Sequence, residues 1–175
     1  SSNCLTGTDR VYEVSKKIKK DFYINVQGDE PLILKNDIIN FVKFAKNNKK
    51  IVINAFAEIN KKSDYINLNV PKLVFDNKLN LMYMSRGKIP SNKTNKFFCA
   101  YKQVCIYSFP YDQLKKFGSK KNKTKIENIE DIEILRFLEL GINVKMFKVS
   151  NSSIGVDTRN DLKKVEKIIN NNERI

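Results

Sequence analysis

The chain has 175 residues, of which 41% are hydrophobic, 30% charged and 10% aromatic. This length suits one domain with its own core, and the composition excludes a disordered chain, a collagen-like repeat and a disulfide-dense secreted scaffold. Charged or amide side chains interrupt every apolar run well before the ~20 residues that a membrane span needs, so we expect no membrane partner.

Lys and Arg together number 33 against 19 Asp and Glu, which gives a net charge of +14. The excess is mostly lysine and is spread along the chain, so we predict a basic surface that tolerates phosphate-bearing ligands, with no nucleic-acid partner. Histidine is absent, so catalysis must use carboxylates, amines, backbone amides or a metal ion. The three cysteines show no C-x-x-C spacing, which argues against zinc and favours a reducing, cytoplasmic location.

Helical and strand periods alternate along the chain, with an antiparallel hairpin in the middle. In chain order the first third of the pattern predicts a helix capped by Thr8, a strand at 22–26, a helix capped by Asn36 and a strand at 50–58. The middle predicts a hairpin at 72–75 and 79–84 turning at Asn77, a loop at 87–96 and a strand at 101–109. The last third predicts a short helix opened by Pro110, a connector at 115–125, an amphipathic helix at 126–140 ended by Gly141, a strand at 144–149 and a helix capped by Thr158. This alternation predicts an α/β sandwich around a mostly parallel sheet with a hairpin insertion around residues 70–100.

A predicted strand runs directly into Gln27, Gly28, Asp29 and Glu30. Ligands of α/β sheets bind outside the carboxyl ends of strands, and carboxylates there suit Mg²⁺, which leaves other coordination positions for phosphate oxygens and water. The alternative is a turn in which Gly28 adopts a special backbone conformation and Asp29 caps the next segment.

Near the other end of the chain, Gly155 and Asp157 follow a strand in the same way. Here Asp157 either caps the last helix or joins Asp29 in clamping one metal–triphosphate complex. A third segment, Thr6 to Arg10, places hydroxyls, a glycine and an arginine at a helix start, which favours anions; any capped helix would look similar.

Six motifs together resemble one family. They are Thr6-Gly7-Thr8-Asp9-Arg10, Asn25-Val26-Gln27-Gly28-Asp29-Glu30-Pro31-Leu32, Ser85-Arg86 with Ile89-Pro90, Tyr101-Lys102-Gln103-Val104-Cys105-Ile106-Tyr107, Leu135-Arg136-Phe137-Leu138-Glu139 and Gly155-Val156-Asp157-Thr158. In order and approximate spacing this chain resembles the 3-deoxy-manno-octulosonate cytidylyltransferases, the CMP-Kdo synthetases.

The resemblance implies a three-layer α/β/α nucleotide-diphospho-sugar transferase fold and a homodimer. It also implies Mg²⁺-dependent transfer of CMP from CTP to Kdo or a related ulosonic acid, for bacterial surface-polysaccharide synthesis. The roles it implies are Asp29 and Asp157 as catalytic metal ligands, Arg10, Gln27 and Gly28 at the nucleotide, and Arg86, Gln103, Tyr107 and Glu133 at the sugar acid.

The chain departs from the family pattern at two sugar-pocket positions and at its start. The family usually has His at the position of Gln103 and Gln at that of Ile134, so we expect a changed acceptor contact at both. The family's triphosphate-cradling loop is expected before Ser1, so the chain is expected to be one cytidylyltransferase-like domain, incomplete at its N-terminal end. The alternatives are a cytidylyltransferase for another anionic acceptor, a non-catalytic remnant of the fold, or a basic RNA-binding module.

Overall fold

One mixed β-sheet with helices on both faces forms the body of the computed structural model, which describes residues 4–172. Its strands are β1 (Phe22–Val26), β2 (Val52–Glu58), β3 (Lys72–Phe75), β4 (Leu81–Ser85), β5 (Tyr101–Pro110) and β6 (Val144–Lys148). Its helices are α1 (Gly7–Lys17), α2 (Lys35–Asn47), α3 (Lys62–Ile66), α4 (Tyr111–Gly118), α5 (Lys125–Glu130), α6 (Leu135–Glu139) and α7 (Arg159–Asn172). The predicted α/β class is confirmed.

Strand β5 is the organising element of the sheet, whose order is β4-β3-β5-β2-β6 with β1 also paired to β5. Strands β1, β2, β3 and β6 share one direction, as a mostly parallel sheet requires, and the inserted hairpin is β3–β4. Because β5 runs against all three of its neighbours, β2–β6 is the parallel pair among the described strands, and the remaining ladders are antiparallel.

Two hydrophobic cores lie on opposite faces of the sheet. Along β2, Val52 and Phe56 face the core beneath α4 and α6, whereas Ile53 and Ala55 face the core beneath α2. This alternation follows from the two-residue period of a strand, and apolar residues on both faces make β2 buried from both sides. The two covered faces account for the three-layer arrangement.

Arg136 joins four helices although its side chain is fully buried. Its guanidinium pairs with the carboxylates of Asp9 (3.0 Å) and Glu127 (2.6 Å) and lies 3.8 Å from the ring centroid of Phe117. Helices α1, α4, α5 and α6 therefore share one ionic contact, and the arginine of the Leu135–Glu139 motif is structural.

The single amphipathic helix expected at 126–140 is wrong, because the chain breaks into α5 and α6. Asp131 ends α5 in the left-handed conformation (φ 52°), and Ile129, expected on the apolar stripe, is 71% exposed. A helix cannot continue through a left-handed residue. The predicted end of this region is confirmed, since Gly141 has φ 69° directly after the C-cap of α6.

Local details at other elements also differ from expectation. Thr6, not Thr8, caps α1, because its hydroxyl accepts from the backbone N–H of Asp9. In the β3–β4 turn the left-handed residue is Leu79 (φ 59°), not Asn77. Helix α2 begins after Leu34, without a side-chain cap from Asn36, and α3 has no counterpart in the prediction.

Candidate active site

A cavity of about 560 Å³ opens beside the carboxyl end of β1, and most of the predicted site residues line it. These are Gln27, Asp29, Arg86, Gln103, Tyr107, Glu133 and Asp157. The two remaining predicted residues, Arg10 and Gly28, line a second cavity of about 790 Å³ formed by α1 and β1. Gln27 and Asp29 line both cavities, so the two spaces adjoin where the β1 motif ends.

Asp29 and Asp157 come from distant parts of the sequence but meet at the first cavity. The backbone N–H of Val156 donates to the carbonyl of Asp29 (2.9 Å). Desolvation raises the pKa of Asp157, and the negative charges of Asp29 and Asp161 raise it further. The hydroxyl of Thr158 caps α7 by accepting from Asp161 N–H (3.2 Å), so the alternative of Asp157 as the helix cap is wrong.

Two neighbouring carboxylates whose charges repel each other form a donor set that suits a divalent cation. Mg²⁺ is commonly held by one or two carboxylates and keeps several water or phosphate ligands. Within residues 4–172, no group of three or more His, Cys, Asp or Glu side chains forms a protein-only metal cage. The residues present therefore fit Mg²⁺ carried with a triphosphate.

Gly28 offers an open approach to the backbone. A Cβ atom built on Gly28 would have no neighbour within 4 Å, and Gly28 is not among the described residues with positive φ. The alternative of a special Gly28 conformation is therefore wrong, while open space at this position suits the approach of a ligand.

The second acid of the β1 motif, Glu30, has a different role from Asp29. Glu30 is only 8% exposed; its Oε1 accepts from the backbone N–H of Cys105 (2.7 Å), and its Oε2 accepts from the Ser153 hydroxyl. The carbonyl of Ser153 accepts from Lys102 Nζ (2.7 Å). Glu30 thus ties the end of β1 to β5 and to the segment that carries Asp157, a role that sequence reasoning missed.

Glu133 binds the protein's own donors at the wall between the two cavities. Its Oε2 accepts from the backbone N–H of Thr8 (2.9 Å) and its Oε1 accepts from Gln27 Nε2 (3.1 Å). Burial raises the pKa of Glu133, and the N–H of Thr8 opposes that rise. Gly7 leaves room for this contact, because a Cβ there would lie 2.8 Å from Gln27 Nε2.

Gln103 reaches the cavity from β5 and is held from behind by a buried amide. Its Nε2 donates to Asn54 Oδ1 (3.0 Å), and Asn54 is fully buried on β2. Asn54 Nδ2 in turn donates to the carbonyls of Val104 (3.0 Å) and Ile106 (3.1 Å). Sequence reasoning missed Asn54, although a single amide inside the apolar run of β2 was the signal for it.

Arg86 spans the cavity wall. Its Nε, Nη1 and Nη2 donate to the carbonyls of Glu130 (2.7 Å), Leu68 (3.1 Å) and Asp131 (2.9 Å), and Nη2 lies 3.6 Å from the Asp131 carboxylate. A guanidinium has five N–H donors. Within the described part of the chain, the second N–H of Nη1 therefore has no partner, while Nη2 is also ion-paired with the Asp131 carboxylate.

Two residues expected at the sugar acid are core residues to different degrees. Tyr107 is 2% exposed and stacks on Phe109, so it reaches the cavity only as part of its floor. Burial holds the pKa of its hydroxyl well above the usual range. The expectation for Ile134 is wrong: it is fully buried in the core, as the residue that directly precedes α6. The preceding Glu133 faces the cavity instead.

Comparison with solved structures defines the class as a nucleotidyltransferase-like α/β protein. The structure of a CMP:2-keto-3-deoxy-manno-octonic acid synthetase complexed with CTP matches with a TM-score of 0.85 at 30% identity, over 96% of this chain and 69% of that one. An inositol-1-phosphate CTP transferase from T. maritima shares the fold, with a TM-score of 0.59 at 14% identity over 95% of this chain and 62% of that one.

The sequence comparisons identify the family. A family model described as cytidylyltransferase matches residues 1–149. The 3-deoxy-manno-octulosonate cytidylyltransferase of Thermodesulfovibrio yellowstonii is 35% identical over 97% of this chain and 72% of its own length. The mitochondrial 3-deoxy-manno-octulosonate cytidylyltransferase of Arabidopsis thaliana is 36% identical over 97% of this chain and 60% of its own length. The chain belongs to the cytidylyltransferase family and spans 60–72% of these two relatives.

The described part of the chain contains no helix with the length and apolar character of a membrane span.

Proposed function

We propose that this chain is the body of an enzyme that transfers CMP from CTP to a 3-deoxy-2-ulosonic acid of the Kdo type. The observation that carries the proposal is the pair of adjoining cavities. The three residues expected at the nucleotide line one, and those expected at the sugar acid line the other, with Gln27 and Asp29 common to both. Relatives that bear this activity in their names support the same reaction.

In the proposed reaction the anomeric hydroxyl of the sugar acid attacks the α-phosphorus of CTP. A new P–O bond forms, the O–H bond of the attacking hydroxyl breaks with its proton released to solvent, and the bond to the β-phosphate breaks so that pyrophosphate leaves with its electron pair. Asp29 and Asp157 would hold Mg²⁺, which when bound neutralises negative charge on the triphosphate. Such transfers depend mostly on positioning and on charge neutralisation, so a chain without histidine can perform them.

The chain's own residues provide the positioning. Glu133 fixes Gln27 at the boundary of the two cavities, and Glu30 fixes the loop on which Asp29 stands. Among the described residues the second N–H of Arg86 Nη1 has no partner and can donate to an anionic group of the acceptor. A homodimer, a cytoplasmic location and the absence of a nucleic-acid partner stay predictions.

The test is pyrophosphate release with CTP, Mg²⁺ and a panel of ulosonic acids, for the complete protein and its Asp29→Asn variant. We expect kcat to fall by at least about 100-fold, because the substitution removes a charged ligand of the Mg²⁺ ion that would neutralise the triphosphate. Asp112→Asn, which removes an exposed carboxylate from the first turn of α4, is the matched control and keeps its activity. Equal turnover in Asp29→Asn and the parent, or no turnover with any acid, would count against the proposal.

A further inference from the structure

We propose that Asn54 is a positioning residue that turns Gln103 so that its amide oxygen, Oε1, accepts a hydrogen bond from a hydroxyl of the acceptor substrate. This inference rests on the proposed function and deepens it. It assigns a direction to the contact, because Gln103 would recognise a donor on the substrate. It also adds Asn54, which lies behind the cavity wall, to the residues that determine acceptor choice.

The ladder between β2 and β5 is irregular at Asn54. Asn54 pairs with Tyr107, but the next residue, Ala55, pairs with Val104, so the β5 chain between these partners is not matched residue by residue. The Asn54 side chain bonds here to the carbonyls of Val104 and Ile106. A buried carbonyl left without a donor is costly. The irregular pairing therefore requires the Asn54 amide, which supplies a donor to these two carbonyls.

These two carbonyls determine which way the Asn54 amide points. A backbone carbonyl can only accept hydrogen bonds, so the group that faces two of them must be the donor, Nδ2. The reverse orientation would place Oδ1 against two carbonyl oxygens inside the protein, with no hydrogen bond formed. Oδ1 therefore faces Gln103, as observed at 3.0 Å.

The same hydrogen-bond constraint determines the orientation of the Gln103 amide. Since Asn54 Oδ1 can only accept, Gln103 must present Nε2 to it, and the remaining atom of the amide is Oε1. Among residues 4–172, no hydrogen-bond donor faces Oε1, and Gln103 lines the cavity. The protein therefore presents a neutral acceptor to the ligand, where a protonated imidazole would present a charged donor.

The decisive probe is a set of Kdo analogues in which each hydroxyl is replaced in turn by hydrogen or by fluorine. Fluorine cannot donate a hydrogen bond. At the position that faces Gln103 we expect both replacements to lower kcat/KM by about 10-fold or more, and both penalties to disappear in Gln103→Met. The second proton of Nε2 has no partner among the described residues either, so Gln103 could instead donate to the substrate. The series distinguishes these two contacts, because fluorine cannot replace a hydroxyl that donates to Oε1. A fluoro analogue that keeps full activity where the deoxy analogue loses it overturns the proposal.

Asn54→Ser tests the positioning role. We expect KM for the sugar acid to rise about 10-fold while KM for CTP stays unchanged, because only the orientation of Gln103 is released. Asn48→Ser is the matched control: it removes an amide that bonds to the Phe44 carbonyl at the end of α2 and leaves both constants unchanged. An unchanged KM for the acid in Asn54→Ser overturns the proposal.

A measurement without turnover separates this inference from the proposed function. In nitrogen-15 spectra of the unliganded protein, we expect one side-chain amide proton of Gln103 to exchange slowly with solvent. The protection is lost in Asn54→Ser and kept in Asn48→Ser. Missing protection in the parent overturns the orientation argument even if the enzyme is active; an enzyme inactive with every acid, yet with protected Gln103, contradicts the proposed function. If Asn54→Ser does not fold, Gln103→Met and the analogue series still decide.

Discussion

At the scale of single residues, the buried arginine Arg136 is the most consequential charge outside the cavity. In Arg136→Met the buried Glu127 carboxylate loses its cationic partner, and Asp9 loses the same contact. We expect the free energy of unfolding to fall by about 3–5 kcal/mol, as is typical when one partner of a buried ion pair is removed. Urea denaturation measures the change.

The control for this substitution is Lys148→Met, which removes an exposed ion pair with Glu58. Such surface pairs contribute roughly 0–1 kcal/mol, so this variant should be nearly as stable as the parent. If Arg136→Met also lost no more than about 1 kcal/mol, the methionine would be filling the volume of Arg136 adequately, and the buried charge would not be needed.

Lys72 makes stability depend on pH. Its side chain is fully buried, its Nζ donates to the carbonyls of Asn67 (2.9 Å) and Arg86, and burial lowers its pKa to about 8, with the charge of Arg86 adding to the effect. An unfolded lysine titrates near 10.5. Between these values the unfolded chain binds more protons than the folded one, so stability from this group rises with pH.

Between pH 8 and pH 10 we therefore expect the free energy of unfolding of the parent to rise by about 2 kcal/mol relative to that of the Lys72→Met variant. Below pH 8 the penalty for the charged buried lysine is fully present, and the difference between the two proteins should stop changing. Denaturation curves over this pH range measure it, and parallel curves for the two proteins would contradict the assignment.

How far single residues were predictable depends on whether their role is written in a local motif. Asp29, Gln27 and Asp157 follow strands beside glycines, and the structure brings all three to one cavity. Asn54 and Glu30 act through partners about 50 and 75 positions away. A local pattern can mark Asn54 as an unusual amide in an apolar strand, but it cannot identify the partners of either residue. Ile134 was misplaced because the sequence does not determine the rotation of a short helix start.

At the scale of elements, the strands were predicted closely and the helices less well. Strands β1 and β3 have the predicted bounds, because both are short runs of mainly apolar, β-branched and aromatic residues between turn signals. The break between α5 and α6 escaped prediction because the apolar spacing continues across it. Asp131 ends α5 through contacts distant in sequence, its carbonyl accepting from Arg86.

The β3–β4 turn allows a direct test at this scale. Leu79 holds a left-handed backbone (φ 59°), which is unfavourable for a side chain with a Cβ. Leu79→Gly should therefore stabilise the protein by about 0.5–1 kcal/mol in urea denaturation, after allowing for the greater freedom of glycine when unfolded. Asn77→Gly is the control, because Asn77 is not left-handed, and it should not stabilise. A larger gain from the control would contradict this description of the turn.

For the whole molecule, ligand binding should couple to stability through the metal site. CTP with Mg²⁺ at about 100 times its Kd should add about 2.7 kcal/mol to the free energy of unfolding. For a chain of this size, that raises Tm by about 5–10 °C in a thermal scan. Chelation with EDTA should remove most of the gain, because Asp29 and Asp157 then repel the bare triphosphate. A shift that is insensitive to EDTA would contradict the assignment of these two carboxylates.

The place of β5 in the sheet also has a consequence for how the chain folds. Strands β1 and β2 both pair with β5, which begins 75 positions after β1 ends, and β3 does so too. During synthesis the strands that precede residue 101 therefore emerge before their central neighbour exists. Pairing over such separations is slow, since loop-closure entropy opposes it before any contact compensates. The nascent chain exposes unpaired strand edges until residue 110 has left the ribosome, and this interval is when aggregation competes most strongly with folding.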